Sequence, residues 1–271
     1  MESARAASQW APCGVVTLTT DFGLADPYVG IMKGVVLNEN AQASLVDLTH
    51  EVAPQDVRSA AWYLSKSWRW FPPGSVHVAV VDPGVGGARE ILVAEFEGHA
   101  FLAPDNGLLG AVLPAHAKLW AVDLEAAGLR PLSHTFHGRD LFAPLAARMS
   151  RGTWPVVFSQ AQQGVAPIDF PQPLRRAEGV VETEVLVVDR YGNLISGFCL
   201  EGDEADARLW DVEMAGKVIS GCKTYGEVDT GELLTLLDSY GHLEIAQREG
   251  SAAQALGVGV GAPLIARRKN T

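Results

Sequence analysis

Residues Val78 to Glu90 read Val-Ala-Val-Val-Asp-Pro-Gly-Val-Gly-Gly-Ala-Arg-Glu, and they restrict the fold more than any other stretch. Val78 to Val81 form a short apolar run of the kind found in buried strands. Asp82 and Pro83 stop the run. Gly84, Gly86 and Gly87 then allow a tight return, because glycine reaches positive φ without a Cβ clash. Arg89 follows seven residues after Asp82. A carboxylate is therefore expected at the carboxyl end of a buried strand, with a guanidinium brought back near it. In open α/β sheets that edge is where ligands bind. The plainer reading is a strand-end turn with a local ion pair. A phosphate cradle is disfavoured, since no Gly-Lys-Ser/Thr follows the glycines.

The chain has 271 residues, 48% of them hydrophobic and 20% charged, enough to bury a sizeable core in one large or two ordinary domains. Its net charge of −11 does not suit binding to a phosphate backbone. It tolerates a cationic small molecule, or simply favours solubility. Cys13, Cys199 and Cys222 match neither a disulfide framework nor a zinc site, which points to a reducing cytoplasm. No apolar run has the length of a membrane span. Met1 to Pro12 lack the apolar core of a secretory signal and read as a loose tail.

In order along the chain, Val15–Thr19 reads as a strand, and Asp26-Pro27 as the N-cap and first turn of a helix running to about Asn38. Ser44–Leu48 is a second strand. Asp56 opens an amphipathic helix carrying Val57, Ala60, Ala61, Leu64 and Trp68 at helical spacing. Val76–Val81 leads into the glycine loop, and Ile91–Phe96 with His99–Ala103 reads as a hairpin about Glu97-Gly98. Leu119–Val122 is a further strand, and Leu141–Arg148 a helix closed by Gly152. This alternation predicts an α/β domain over residues 13–165 with a mostly parallel sheet. Residues 166–178, broken by Pro167, Pro171 and Pro173, read as a linker. Residues 179–271 carry short strands at Glu182–Asp189, Leu194–Phe198, Val218–Ser220, Leu233–Leu237, His242–Ala246 and Ala262–Ala266, which predicts a small all-β, barrel-like domain.

Three polar clusters are read as following strand ends in the first domain: Thr20-Asp21-Phe22-Gly23, Asp82 to Arg89, and His137-Gly138-Arg139-Asp140. If the strands are parallel their loops share one edge and meet. Nucleophilic catalysis wants Ser or Cys beside His, and no Gly-x-Ser-x-Gly elbow or loop cysteine supplies it. The seven histidines are scattered, so no metal site is expected. What remains is a carboxylate–histidine–arginine set able to orient and activate water. The alternative for His137 is a residue at a helix start that bonds the backbone.

Taken together, Thr-Thr-Asp-Phe-Gly with Asp26-Pro-Tyr-Val-Gly, Val-Asp-Pro-Gly-Val-Gly with Arg89, Pro-Asp-Asn-Gly-Leu-Leu, Phe-His-Gly-Arg-Asp and Asp-Arg-Tyr-Gly-Asn resemble the S-adenosylmethionine (SAM) hydroxide adenosyltransferase family, related to the SAM-dependent fluorinase and chlorinase. The likeness runs from about Gly14 to Arg268. It implies hydrolysis of SAM to adenosine and methionine with no cofactor or metal. It also implies a homotrimer whose ligand lies between the first domain of one subunit and the second of its neighbour. Residue by residue, it places Asp82, Arg89 and His137 in the catalytic set and Asp21 on the ribose diol. Asp26 and Tyr28 fall near the amino-acid portion. Asp189, Tyr191 and Asn193 fall on the second-domain ligand loop, and Ser239, Glu244, Gln247 and Glu249 on the C-terminal ligand stretch.

The resemblance also implies differences from the halide-using relatives. Those carry an uncharged residue at the place of Asp82, and the fluorinase has a serine at the place of Gly138 and a long insertion near Glu97-Gly98. Water is therefore the expected nucleophile. A SAM-dependent halogenase and a non-catalytic adenosine or SAM sensor are the rival readings. The proton from water has two candidate acceptors: an aspartate, with a reference pKa of about 3.9, and His137, with one near 6.5.

Overall fold

The computed structural model describes residues 10–155, 157–161, 168, 170–177 and 179–269. The chain divides into two compact units, Met1–Ile168 and Asp169–Thr271.

The first unit contains β1 (Val15–Thr20), α1 (Tyr28–Glu39), β2 (Ser44–Thr49), α2 (Val57–Ser67), β3 (Val76–Val80), β4 (Ile91–Phe96), β5 (His99–Pro104), β6 (Lys118–Val122), α3 (Ala143–Ser150) and β7 (Val157–Ala161). Among the described residues the strands form one sheet in the order β2-β1-β3-β5-β4-β6-β7. The β1–β2, β1–β3 and β3–β5 pairs are parallel, and β4–β5, β4–β6 and β6–β7 are antiparallel. The sheet is thus mixed, which corrects the expectation of a mostly parallel one. The Glu97-Gly98 hairpin reverses β5 against β4, and no helix intervenes there to restore direction.

The apolar run of β3 is explained by burial on both faces. Val76, Val78 and Val80 join one core cluster with Met32 and Val36 of α1 and Leu145, Ala146 and Met149 of α3. Ala79 and Val81 join another with Ala60 and Leu64 of α2 and Trp68. Trp62 and Trp68 are buried, while Trp70 is 80% exposed. Asp56 caps α2 as expected, accepting from the Ser59 amide. Asp26 does not cap α1: Pro27 occupies the N-cap position, which puts Asp26 one residue too early to reach the first-turn amides.

The second unit contains β8 (Leu174–Ala177), β9 (Val180–Val188), β10 (Leu194–Cys199), β11 (Trp210–Met214), β12 (Lys217–Ser220), β13 (Leu233–Leu237), β14 (His242–Gln247), α4 (Ala252–Leu256) and β15 (Pro263–Arg268). The named strands pair antiparallel in the order β12-β11-β15-β9-β10-β14-β13, with β8 also on β9. A bridge between Gly221 and Thr235 links the far edges, so the sheet nearly closes as a barrel. Its interior holds Val185, Phe198, Trp210, Val212, Leu243 and Ile245. Of the expected linker, residues 166, 167, 169 and 178 lie outside the described residues, and Leu174–Ala177 form β8.

A buried polar chain crosses the first sheet. Thr17 Oγ1 lies 2.9 Å from His77 Nδ1, and His77 Nε2 lies 3.1 Å from His99 Nδ1. Burial, reinforced by His99, pushes the His77 imidazole down from 6.5 to about 3. The unfolded chain therefore binds this proton first, and stability falls as pH drops from 6.5 toward 3. The slope is about 1.4 kcal/mol per pH unit from this group. Denaturant titrations of the parent and of His77→Gln, which keeps the polar contacts but does not titrate, should show the stability difference between them changing with that slope between about pH 6 and 4. Parallel curves would assign the acid sensitivity to other groups.

Candidate active site

The carboxyl ends of β1 and β3 and the start of the α3 segment meet at a cleft of about 380 Å³ lined by Asp21, Phe22, Tyr28, Gln55, Asp82, Val85, Phe136, His137 and Gly138. Behind two of these residues, Asp82 and His137, lies Arg89, which joins them. The guanidinium Nε donates to Asp82 Oδ1 at 3.0 Å and Oδ2 at 2.8 Å, and a terminal nitrogen donates to Oδ2 as well. The same terminal nitrogen lies 2.9 Å from His137 Nδ1. Asp82 and Arg89 side chains are 5% and 11% exposed, so this is a desolvated pair of high directional strength.

The glycine loop makes the return from Asp82 to Arg89 possible, with one refinement. Only Gly86 of its three glycines has positive φ, at +78°, and a Cβ there would meet the His134 carbonyl oxygen at 2.4 Å. Gly84 and Gly87 serve the turn bonded from the Gly87 amide to the Gly84 carbonyl. His137 precedes a π-helical turn over Gly138–Phe142 that runs into α3. Its side chain makes no capping bond. His137 thus stands at a helix start as the alternative had it, but its side chain bonds Arg89 and not the local backbone.

This contact fixes the tautomer. A guanidinium only donates, so Nδ1 accepts and Nε2 carries the proton. Nε2 is buried with no hydrogen-bond partner among the described residues. Burial first, then the Arg89 charge, lowers the His137 pKa, while Asp82 and Asp140 oppose. The site thus offers a neutral imidazole with an unsatisfied N–H donor beside a carboxylate.

Asp21 sits on the cleft wall, where its Oδ2 accepts from the Gln55 amide at 2.7 Å. Gln55 was missed by the sequence reading; it holds φ at +68°, and no local signal marks a non-glycine residue for that conformation. Phe22, Tyr28 and Phe136 pack edge to face with centroids 5.2–6.1 Å apart. Asp26 is exposed and does not line the cleft. Arg139 and Asp140 do not join the centre. They pair with each other, and Asp140 also accepts from the Leu132 and Ser133 amides, fixing that loop.

In the second unit the structure gathers some expected residues and separates others. Asp189 accepts from the amides of Tyr191 and Asn193 and from the Asn193 side chain, a closed Asx turn. Asn193 is buried, whereas Tyr191 is 78% exposed. The Tyr225 hydroxyl donates to Glu244 Oε1 at 2.6 Å, and Asn193 bonds the same phenol. Burial raises the Glu244 pKa, and Asp189 and Asp238 push the same way against the Tyr225 bond. Gln247 is three positions from Glu244 on β14, hence on the opposite face, and donates to the Gly231 carbonyl. Ser239 and Glu249 are exposed. Tyr225 was missed; it lies in a short 3₁₀ turn with no pattern to single it out. Among the described residues, no three His, Cys, Asp or Glu side chains are grouped as metal ligands would be.

Family models match both units: the SAM hydroxide adenosyltransferase N-terminal domain over residues 16–158 and its C-terminal domain over residues 183–265. An (R)-S-adenosyl-L-methionine hydrolase of Thermus thermophilus is 37% identical over 92% of this chain and 98% of its own. The crystal structure of an uncharacterized conserved protein from Thermotoga maritima superposes with a TM-score of 0.81 at 33% identity, covering 94% of this chain and all of that one. A fluorinase of Actinopolyspora mzabensis is more distant, 26% identical over 66% of this chain and 70% of its own.

The tautomer argument has a direct spectroscopic consequence. In ¹⁵N-resolved NMR, His137 should remain the neutral Nε2–H form through neutral pH and protonate below the ordinary histidine value of 6.5. Asp82→Asn removes a charge that raises the pKa, so it should move protonation lower still. An Nδ1–H tautomer, or an upward shift in the variant, would contradict the geometry.

Proposed function

The chain is a member of the SAM hydroxide adenosyltransferase family, and from that membership we propose that it hydrolyses S-adenosyl-L-methionine to adenosine and L-methionine. The curated relatives are named for the (R)-sulfonium epimer, and we carry that epimer over as substrate. The observation that supports the reading most is the Asp82–Arg89–His137 set, whose Asp82 and His137 line the cleft and which a non-catalytic sensor does not need.

Water attacks the ribose C5′ opposite sulfur. The C5′–S bond breaks, and its electron pair stays on sulfur as the methionine thioether. A sulfonium is its own good leaving group, so the reaction as drawn calls for no general acid, metal or other cofactor. Placement of water in line supplies much of the acceleration. His137 has no vacant lone pair, since Nδ1 is occupied and Nε2 is protonated; it donates to the water oxygen. The water proton passes to Asp82, which keeps acceptor capacity on Oδ1, and from there to solvent. Asp21 takes the ribose diol through the oxygen not held by Gln55. Asp26 and Tyr28 serve the amino-acid end. Asp189, Tyr191, Asn193, Ser239, Glu244, Gln247 and Glu249 serve from a second unit.

Halide is a poor substitute for water here. An anion about 4 Å from an ionised carboxylate meets a repulsion of roughly 1 kcal/mol in water and about 4 at an effective dielectric of 20. A serine cannot take the place of Gly138 unmoved: a Cβ there would meet Met32 Sδ at 3.0 Å and the rings of Phe22 and Phe136 at 3.3 Å. A cytoplasmic location and a homotrimer with sites between subunits complete the proposal. The described residues contain no helix long and apolar enough to cross a membrane, and no disulfide joins the cysteines.

Incubation of each SAM epimer in ¹⁸O water with high chloride or fluoride should give adenosine labelled at the 5′-oxygen, methionine and negligible 5′-halo-5′-deoxyadenosine, with the (R) epimer consumed faster. Mass spectrometry reads every product; halogenated nucleoside as the main product, or unlabelled adenosine, would overturn hydrolysis at C5′.

Shared sites have their own test. Mixing strongly impaired Asp82→Asn with strongly impaired Asn193→Ala protein under subunit exchange should restore part of the activity, since some sites then carry neither change. A fully active species that sediments as a monomer would sink the assembly.

A further inference from the structure

The Pro104-Asp105-Asn106-Gly107 turn belongs to no assigned role, yet it holds both ends of the Asp82–Arg89 loop. Asn106 Nδ2 donates to the Val81 carbonyl at 2.8 Å, and the Asp105 amide donates to the Glu90 carbonyl at 3.0 Å. Val81 is the residue before Asp82, and Glu90 the residue after Arg89. β3 ends at Val80, and its parallel pairing with β5 ends at Val78 and Leu102. The Val81 carbonyl therefore lies past the sheet ladder, in a fully buried residue, where an unmet acceptor is costly. The Asn106 amide takes the place of the next strand. Its own oxygen accepts from the Leu108 amide at 3.3 Å, which fixes the side chain from the other side.

We propose that Asn106 is a positioning residue for hydrolysis: by fixing the Val81 carbonyl it sets the direction in which Asp82 leaves the strand, and so holds the carboxylate square to Arg89 and toward water. This rests on the water-activation reading given above. The hydrogen bonds from Arg89 to Asp82 and His137 require the loop ends at a fixed separation, and one turn clamps both. A misplacement on the order of 1 Å at a reacting group costs about 10²-fold in rate.

The informative variant is Asn106→Asp. It keeps the shape and the acceptor for the Leu108 amide but replaces the donor to Val81 with an oxygen. It should lower kcat about 10- to 100-fold while KM and adenosine affinity by calorimetry stay within about threefold, because the ribose contact at Asp21 is untouched. A merely structural role gives a different signature, an effect independent of Asp82. The same change made on an Asp82→Asn background should therefore alter the residual rate by less than about threefold, since there is no carboxylate left to aim. Asn106→Gln, which keeps an amide donor displaced by one methylene, reads the same coupling if the aspartate variant does not fold. Parent-like kcat in a folded Asn106 variant would overturn the proposal, as would an equal loss on both backgrounds. Parent-like turnover in Asp82→Asn alone would instead overturn water activation itself, and the positioning role with it.

Discussion

The Arg89 guanidinium is the contact on which the cleft depends. It donates in two directions at once, to both oxygens of Asp82 and to His137 Nδ1. Buried ion pairs seldom add much net stability, because desolvation offsets most of the attraction. What this one supplies is geometry: a planar fork sets the carboxylate and the imidazole in fixed relation, and its lack of any acceptor decides which imidazole nitrogen bears the proton. The surrounding structure serves that arrangement. β3 is locked between two core clusters, the glycine loop returns Arg89, and the π-helical turn delivers His137.

Part of this was legible in the sequence for good physical reasons. A run of four apolar residues ended by Asp-Pro and glycines has few other uses, and its alternate side chains do enter the two core clusters. The seven-residue step from Asp82 to Arg89 across a glycine loop correctly brought carboxylate and guanidinium together. The argument for His137 reached the right neighbour through an incomplete premise. Its loop is not the end of a parallel strand. α3 packs beside β1 and β3, and the helix start carries His137 to the edge where those two strands end. Strand direction was the weak point, because side-chain alternation looks the same in either direction, and β4 and β7 run against the other strands, so that every pair from β5 to β7 is antiparallel.

Other misses have different causes. β11 reads Trp-Asp-Val-Glu-Met, a strict alternation with Trp210, Val212 and Met214 buried, and was available to a closer reading. β8, Leu-Arg-Arg-Ala, has no alternation to find. The burial of Glu244 has a longer-range cause. Leu243 and Ile245 point into the barrel, so alternation puts Glu244 outside, yet it is 5% exposed and bonded to Tyr225 from a distant turn. Contacts of that range leave no trace in local pattern. The left-handed Gln55 that meets Asp21 is the same kind of case.

The donor and acceptor inventory of the cleft bears on the choice of nucleophile independently of charge. On the proposed reading, His137 offers water an N–H and Asp82 a carboxylate oxygen. Water satisfies both, accepting from one and donating to the other, and in doing so presents its remaining lone pair in a defined direction. A halide accepts from His137 but leaves the carboxylate unmatched and repelled. Arg89, by fixing the imidazole as a donor and leaving the carboxylate as the acceptor, makes the pair complementary to a molecule that is both. On the proposed reading, that complementarity is what makes the cleft deliver oxygen, not halide, to carbon.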